Sequence, residues 1–273
     1  MKIIPAPGFG NVWILTLSNA LAASIMTLMI LVGSLVGAEL APSEEWATLP
    51  IALTVIGTAA SILPATAAMQ WLGRKTALWA FMALGVLACW VASSALEQQD
   101  FTLFCIASAM LGSTSAALQQ TRFAAMEAVA PEYGPSAASL IMCGGIVAAI
   151  IGPELAVAGV HMTAVDYQGS YWLAAITVMI AALVLIPYKP NITPQVQRAT
   201  SASSTWSIVA HPTFLLAMTS GAVAFVVMSF VMTGTPISMH HIYGHSLVDT
   251  KWVIQSHIAA MFLPSLITPL LFR

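Results

Sequence analysis

The chain has 273 residues, of which 59% are hydrophobic and only 7% are charged. A soluble domain carries about 25% charged residues, so this composition excludes a water-soluble globular protein and indicates that lipid surrounds the chain. The formal net charge of −2, without a basic patch, gives no reason to expect nucleic acid as a partner. The composition therefore predicts an integral membrane protein whose main partner is the lipid bilayer.

Eight apolar runs follow one another along the chain, and most have the roughly 20 residues that a helix needs to cross a bilayer. Their bounds are residues 12–36, 49–70, 76–96, 101–121, 136–157, 171–186, 212–232 and 252–272. Only helices and closed barrels satisfy every backbone hydrogen bond inside lipid. The runs predict an all-α, polytopic transmembrane bundle of about eight spans.

The few charges between these runs indicate the orientation. With the N-terminus inside, only Lys251 of the 8 basic residues lies outside. Short loops with many basic residues stay on the cytoplasmic side. The sequence therefore predicts a multi-pass protein of the inner cell membrane with a cytoplasmic N-terminus.

One connection is longer and more polar than the others. Residues 188–210 are rich in Ser, Thr and Pro, a composition that cannot bury a core and is typical of a linker. The linker separates a six-span part, residues 1–187, from residues 211–273. Leu63-Pro64 in the second run has a counterpart in Leu263-Pro264 in the eighth, and internal repeats of this kind are typical of secondary transporters.

The loop after the second run carries a specific motif. Gly73, Arg74 and Lys75 resemble the end of the conserved loop between spans two and three of the major facilitator superfamily. The first part of that loop departs from the family pattern, because Gln70-Trp71 stand where Asp-Arg is usual. We expect the basic pair to hold helix ends through C-terminal carbonyls and lipid phosphates. A plain topology signal is the alternative.

A second resemblance lies in the fifth run. Residues 144–156, GGIVAAIIGPELA, are similar to the Gly-rich segment ending in Gly-Pro that antiporter-like members of this superfamily carry. Pro153 permits a bend, and small residues on one side let a neighbouring helix approach closely. The small residues expected on that side are Gly145, Ala148, Ala149 and Gly152. The segment is predicted to be a hinge between two halves, with ordinary helix packing as the alternative.

The resemblance implies a transporter that works by alternating access. Members usually have two six-span halves, so residues 211–273 would be the first two spans of an incomplete second half, and the chain a partial or truncated copy. The resemblance also places several spans around a central cavity, where polar side chains would bind substrate. The candidate substrate-binding residues are Asn19, Gln119, Gln120, Gln255 and His257. Hydrogen bonding between helices is the alternative explanation.

Two further charged residues are candidates for a role in transport. Glu154 is the acid furthest inside any run, and a buried carboxylate there is either neutral, paired or functional. It is predicted to couple transport to protons, or otherwise to reach the outer interface. Arg122 and Glu127 are five residues apart, which is poor spacing for a helical ion pair. Arg122 is therefore assigned to an inner gate or to a topology anchor.

The sequence favours a proton-coupled secondary transporter that exports a small organic solute or drug-like compound. No Gly-rich phosphate loop and no catalytic triad occurs, so neither an enzyme nor a cofactor is predicted. One alternative is a metal or siderophore-type transporter that uses the cluster His240, His241 and His245, since imidazole binds transition metals. Another alternative is a membrane fragment that does not transport.

Overall fold

The structure, a computed structural model, describes residues 8–190 and 209–271, and of residues 264–271 it describes the backbone alone. Within these ranges the regular elements are all helical. The α-helices are α1 Phe9–Leu40, α2 Leu49–Trp71, α3 Arg74–Gln98, α4 Phe101–Gln119, α5 Thr121–Glu127, α6 Gly134–Gly159, α7 Gln168–Val184, α8 Pro212–Pro236 and α9 Leu247–Leu271. Short 3-10 turns lie at Glu44–Trp46 and Pro131–Tyr133, and a π-turn at Ile237–Ile242 follows α8.

The predicted all-α, polytopic bundle is confirmed. Six helical segments of the described ranges are long and apolar enough to cross a bilayer. The apolar helix α7 is shorter, with 17 residues, and residues 252–271 of the eighth predicted run lie in α9, which has 25 residues. The short helix α5 was not predicted, because its sequence continues the fourth run and only a bend at Gln120 separates it from α4.

Turn chemistry explains where several helices begin. Asp100 caps α4, since its carboxylate accepts a hydrogen bond from the amide of Leu103 at 3.0 Å. Gly73 joins α2 to α3 with a φ of 81°, a conformation that is strained for residues with a Cβ. Ser246 and Asp249 bond reciprocally at the start of α9, which fixes its first turn.

The helices pack around α1, which contacts α6 and α7 along its length. On one side α2 packs against α4, and α3 packs against α4 and α7. Glycines allow these close approaches: a Cβ on Gly112 of α4 would lie 2.8 Å from the amide nitrogen of Thr58 on α2. Of the predicted linker, residues 191–208 lie outside the described ranges. The helices after it join the bundle mainly where α9 contacts α6.

Candidate functional site

A cavity of about 540 Å³ lies among α1, α2, α4, α6, α8 and α9. Its apolar lining is rich in sulfur and aromatic rings, contributed by Met26, Met29, Met228, Met232, Met261, Phe225 and Phe262. Its polar lining consists of Asn19, Thr27, Thr54, Thr58, Ser115, Gln119, Ser229 and Thr233. None of the described lining residues is charged. The cavity therefore suits a small, uncharged solute that combines apolar surface with hydrogen-bonding groups.

Three threonines of this lining already use their hydroxyl protons within the protein. Thr27 donates to the Ala148 carbonyl at 2.7 Å, and Thr54 donates to a carbonyl of its own helix at 3.0 Å. Thr58 donates to a carbonyl of α4 at 3.0 Å. Asn19 differs, because its Oδ1 atom is buried and has no hydrogen-bond partner in the described part of the chain.

The cavity includes only some of the predicted substrate-binding residues. Asn19 and Gln119 line it, whereas Gln120 lies at the junction of α4 and α5 and is absent from the described lining. His257 is not part of this lining either, although its Nε2 atom is buried and has no hydrogen-bond partner among the residues that the structure describes. Gln255 instead bonds to a carboxylate on α6.

That carboxylate belongs to Glu154, which forms an ion pair between α6 and α9. The Nζ atom of Lys251 lies 2.8 Å from Oε1 and 3.0 Å from Oε2 of Glu154. The Lys251 side chain is 9% exposed and the Glu154 side chain 50% exposed. Gln255 Nε2 donates to Glu154 Oε1 at 3.2 Å and to the Ile150 carbonyl at 3.1 Å. One turn of each helix thus presents polar groups to the other.

The sequence analysis missed Lys251 because it treated this residue as a loop charge outside the eighth run. The structure places Lys251 in the first turns of α9, four residues before Gln255. Residues with that spacing share a helix face. The same spacing joins Ile150 to Glu154 on α6. These spacings show that the polar groups share a face within each helix, but they do not indicate that the two helices are neighbours.

The Gly73-Arg74-Lys75 motif ties α3 to two other helices at one end of the bundle. Arg74 Nε donates to Glu127 Oε2 at 2.6 Å, and a second bond joins Arg74 Nη2 to Glu127 Oε1. Lys75 Nζ donates to the carbonyl of Ile186, just beyond α7, at 2.5 Å. The Lys75 contact is of the kind predicted for this motif, a cation on the carbonyls of a helix end.

Glu127 therefore forms an ion pair with a residue of α3. Arg122 is exposed, with its guanidinium 4.9 Å from the centre of the Phe123 ring. No ion pair of Arg122 occurs among the described residues. The structure thus supplies no contact that would make Arg122 a gate, and this assignment stays a prediction.

The opposite end of the bundle carries carboxylates. Asp166 lies there with His161, whose Nδ1 atom is 3.0 Å from the Asp166 carboxylate. Burial, and next the charges of Glu39 and Asp166, raise the pKa of Tyr167 to about 12. The two ends thus differ in charge, with Arg74 and Lys75 at one end and Glu39 and Asp166 at the other.

The small residues of α6 divide between two neighbouring helices. Gly144, Ala148 and Gly152 face α1, and a Cβ on Gly152 would lie 2.8 Å from the amide nitrogen of Leu28. Gly145 instead faces α9, where an added Cβ would lie 2.6 Å from the Phe262 ring. The side of α6 that was predicted to let one neighbouring helix approach is therefore shared between two helices, with Gly152 next to α1 and Gly145 next to α9.

Pro153 is buried and does not end α6, which continues to Gly159. The structure thus contains a proline within a continuous helix next to the closest contact with α1. This placement is compatible with the predicted hinge, which stays a prediction.

A family comparison fits this arrangement of a helical bundle around a central cavity. The Major Facilitator Superfamily model matches residues 12–273. The chain belongs to the major facilitator superfamily. Membership in this superfamily of transporters confirms the resemblance found in the loop after α2 and the expectation that the protein is not an enzyme. It also confirms a multi-pass membrane protein.

Three curated relatives are similar over most of the chain. The riboflavin transporter RfnT of Brucella anthropi is 33% identical over 265 residues, which cover 94% of the chain and 65% of the relative. The uncharacterized MFS-type transporter YdeG of Bacillus subtilis is 30% identical, covering 96% and 64%. The uncharacterized MFS-type transporter YddS of the same organism is 28% identical, covering 89% and 59%. The chain thus spans less than two thirds of the length of each. No solved structure matches it significantly.

The arrangement of His240, His241 and His245 does not support the metal site that was considered as an alternative. His240 Nδ1 lies 2.8 Å from the carbonyl of His245, within the segment that connects α8 to α9. Gly244, with a φ of 70°, interrupts the helix there, so His241, His245 and Asp249 do not share the helical face that their spacing would allow. The described residues contain no group of three or more side chains that could hold a metal ion.

Proposed function

We propose that the protein is a secondary active transporter that carries a small organic solute across the inner cell membrane by alternating access. The main support is the cavity, which is bounded by α1, α2, α4 and α6 on one side and by α8 and α9 on the other. The first group precedes the linker along the chain, and the second group follows it. A site between two halves becomes accessible to either side of the membrane when the halves rock against each other.

The cavity also supports a class of solute. Its volume of about 540 Å³ is within the range of small-molecule sites. Thioether sulfurs and phenyl rings make favourable contacts with flat aromatic molecules, and this lining has five methionines and two phenylalanines. The relative RfnT is named as a riboflavin transporter. Together these observations make riboflavin, a flat heterocycle with a flexible polyol chain, the first solute to test.

Proton coupling is assigned to Glu154. Its carboxylate lies within α6 and pairs with Lys251 on α9, so the pair joins the two groups of helices. Protonation of Glu154 would remove its charge and leave the Lys251 ammonium without a counter-charge in a poorly hydrated place, which is unfavourable. Binding of a proton would therefore weaken the α6–α9 contact. This is the physical link between the proton and the rocking motion.

Reconstitution tests the proposed activity directly. Proteoliposomes containing the protein should move riboflavin when a proton gradient is imposed, and a protonophore should reduce the flux to that of protein-free vesicles. Reversing the gradient reports the direction of transport. Wild-type vesicles that carry no riboflavin under either gradient would contradict the proposed substrate, whereas riboflavin flux that the protonophore leaves unchanged would contradict proton coupling.

The proposed orientation places the Arg74 end of the bundle in the cytoplasm. Glu44 and Glu132 are exposed and lie at opposite ends, after α1 and before α6. A membrane-impermeant maleimide should label Glu44→Cys in intact cells and should label Glu132→Cys only after lysis. The unmodified protein, which contains Cys89, Cys105 and Cys143, gives the background. The reverse labelling pattern would place the N-terminus outside.

A further inference from the structure

The charges of the cavity lining limit the solute before any particular contact is considered. None of the described lining side chains is charged, and the ion pair of Glu154 and Lys251 is not part of the lining. An ionised solute would therefore enter a poorly hydrated space without a counter-charge, and such a transfer is strongly unfavourable. The cavity is suited to an uncharged solute.

The polar lining limits the solute further. The hydroxyl protons of Thr27, Thr54 and Thr58 are bonded to backbone carbonyls. Of the described lining side chains, only Asn19 and Gln119 present a donor and an acceptor next to each other. Gln119 is exposed at the end of α4. Asn19 lies well inside α1, and its Oδ1 atom is buried and has no hydrogen-bond partner within the described ranges.

An unpartnered amide oxygen in an apolar wall is unfavourable in the empty protein. A solute that supplies a hydrogen-bond donor would remove this cost, and a solute that lacks one would leave it in place. The two groups of a carboxamide point in nearly the same direction, so its natural complement is a neighbouring N–H and C=O. Cyclic imides and lactams have this edge, and those that are part of a conjugated ring system are planar, which suits contact with the methionine and phenylalanine side chains of the lining.

We propose that Asn19 is a specificity-determining residue that forms paired hydrogen bonds with the imide or lactam edge of an uncharged planar heterocycle. This inference rests on the proposed function and specifies how its site distinguishes one solute from another. The Asn19 oxygen accepts from the ring N–H, and its amide nitrogen donates to the adjacent ring carbonyl. The methionine and phenylalanine side chains contact the faces of the ring.

Ligand binding to the purified protein provides the test, with quenching of flavin fluorescence as the readout. Three probes separate the contribution of the imide N–H from that of charge. They are riboflavin, its N3-methyl derivative, in which the imide N–H is replaced, and riboflavin 5′-phosphate, which is an anion. Asn19→Leu removes the carboxamide at similar size. Gln98→Leu, at an exposed position at the end of α3, removes a carboxamide outside the cavity and is the matched control.

Wild-type protein should bind riboflavin about 10- to 30-fold more tightly than the N3-methyl derivative, because the methyl group replaces the N–H and keeps the Asn19 amide away from the adjacent carbonyl, so that two neutral hydrogen bonds are lost. Asn19→Leu should bind riboflavin more weakly than the wild-type protein does, by the same factor. It should bind the N3-methyl derivative as tightly as the wild-type protein does. The phosphate should bind at least about tenfold more weakly than riboflavin to both proteins. Gln98→Leu should behave as wild type with every probe.

Equal affinity of the wild-type protein for riboflavin and its N3-methyl derivative would overturn the inference without any mutant. The inference would also be overturned if Asn19→Leu lowered the affinity for riboflavin and for the N3-methyl derivative by the same factor. The effect of the substitution would then not involve the imide. Tight binding of the phosphate would overturn the selection for an uncharged solute. In these cases riboflavin still binds and the proposed function stands. A wild-type protein that binds none of the three would remove the flavin substrate, and this inference with it.

Discussion

Glu154→Gln is expected to abolish transport driven by a proton gradient while expression and folding remain intact. Glutamine keeps an oxygen that can accept from the Lys251 ammonium, which lies 2.8 Å from Glu154 Oε1 in the native protein. It cannot take up or release a proton, so the contact between α6 and α9 no longer depends on the gradient. Gradient-driven flux should fall to that of protein-free vesicles, whereas solute exchange without a gradient should persist.

Glu44→Gln is the matched control, because Glu44 is an exposed glutamate after α1. It should leave gradient-driven flux at the wild-type level. Lys251→Met should lower expression, since it leaves the Glu154 carboxylate without its counter-charge. Combining Lys251→Met with Glu154→Gln should restore expression. Normal proton-driven transport by Glu154→Gln would remove Glu154 from the coupling mechanism and leave the ion pair with a structural role.

Gly152→Ala is expected to lower the thermal stability of the protein and to impair transport. The added Cβ would overlap the carbonyl oxygen of Ser24 and the hydroxyl of Thr27, and it would lie 2.8 Å from the amide nitrogen of Leu28. Backbone atoms cannot rotate away as a side chain does, so α1 and α6 must separate. Overpacking of this kind typically costs about 1–3 kcal/mol. Thermal unfolding in detergent should occur at a temperature several degrees lower.

Gly221→Ala supplies the matched control for this substitution. Gly221 lies within α8, and a Cβ there would have nothing within 4 Å. Alanine favours a helix over glycine by about 1 kcal/mol, so this variant should be as stable as the wild type or slightly more stable. If both variants unfold at the wild-type temperature, close contact between α1 and α6 does not limit stability.

Contacts between distant residues could not be predicted from the sequence. Glu154 and Lys251 are 97 positions apart, and Arg74 and Glu127 are 53 apart. Spacing rules identify residues that share a face of one helix, but they do not tell which helix lies opposite. From the sequence, Arg122 is therefore the only partner that spacing suggests for Glu127, because it is a near neighbour on the same helix. For the same reason, Glu154 stands in the sequence as a lone acid.

The Gly-rich segment illustrates how far a local pattern reaches. Its composition correctly indicated close packing, because small residues are what a near approach of two helices requires. It did not tell whether Gly144 or Gly145 faces α1, since α6 has two neighbours and both contacts use a glycine. Asn19 and Gln120 show the same limit: both are polar groups within or next to apolar helices, yet of the two only Asn19 belongs to the described lining of the cavity.

The sequence alone determined the class of protein, the approximate bounds of its spans and the family motif after α2. Transfer of a segment into lipid depends on the summed hydrophobicity of about 20 consecutive residues, which is a local property of the chain. The tertiary structure decided which polar groups meet, because a polar side chain inside the membrane is satisfied by whichever helix packs against it. That choice depends on the packing of all the helices together. The ion pair between α6 and α9 follows from this packing. So does the environment of the Asn19 Oδ1 atom, which has no hydrogen-bond partner among the described residues.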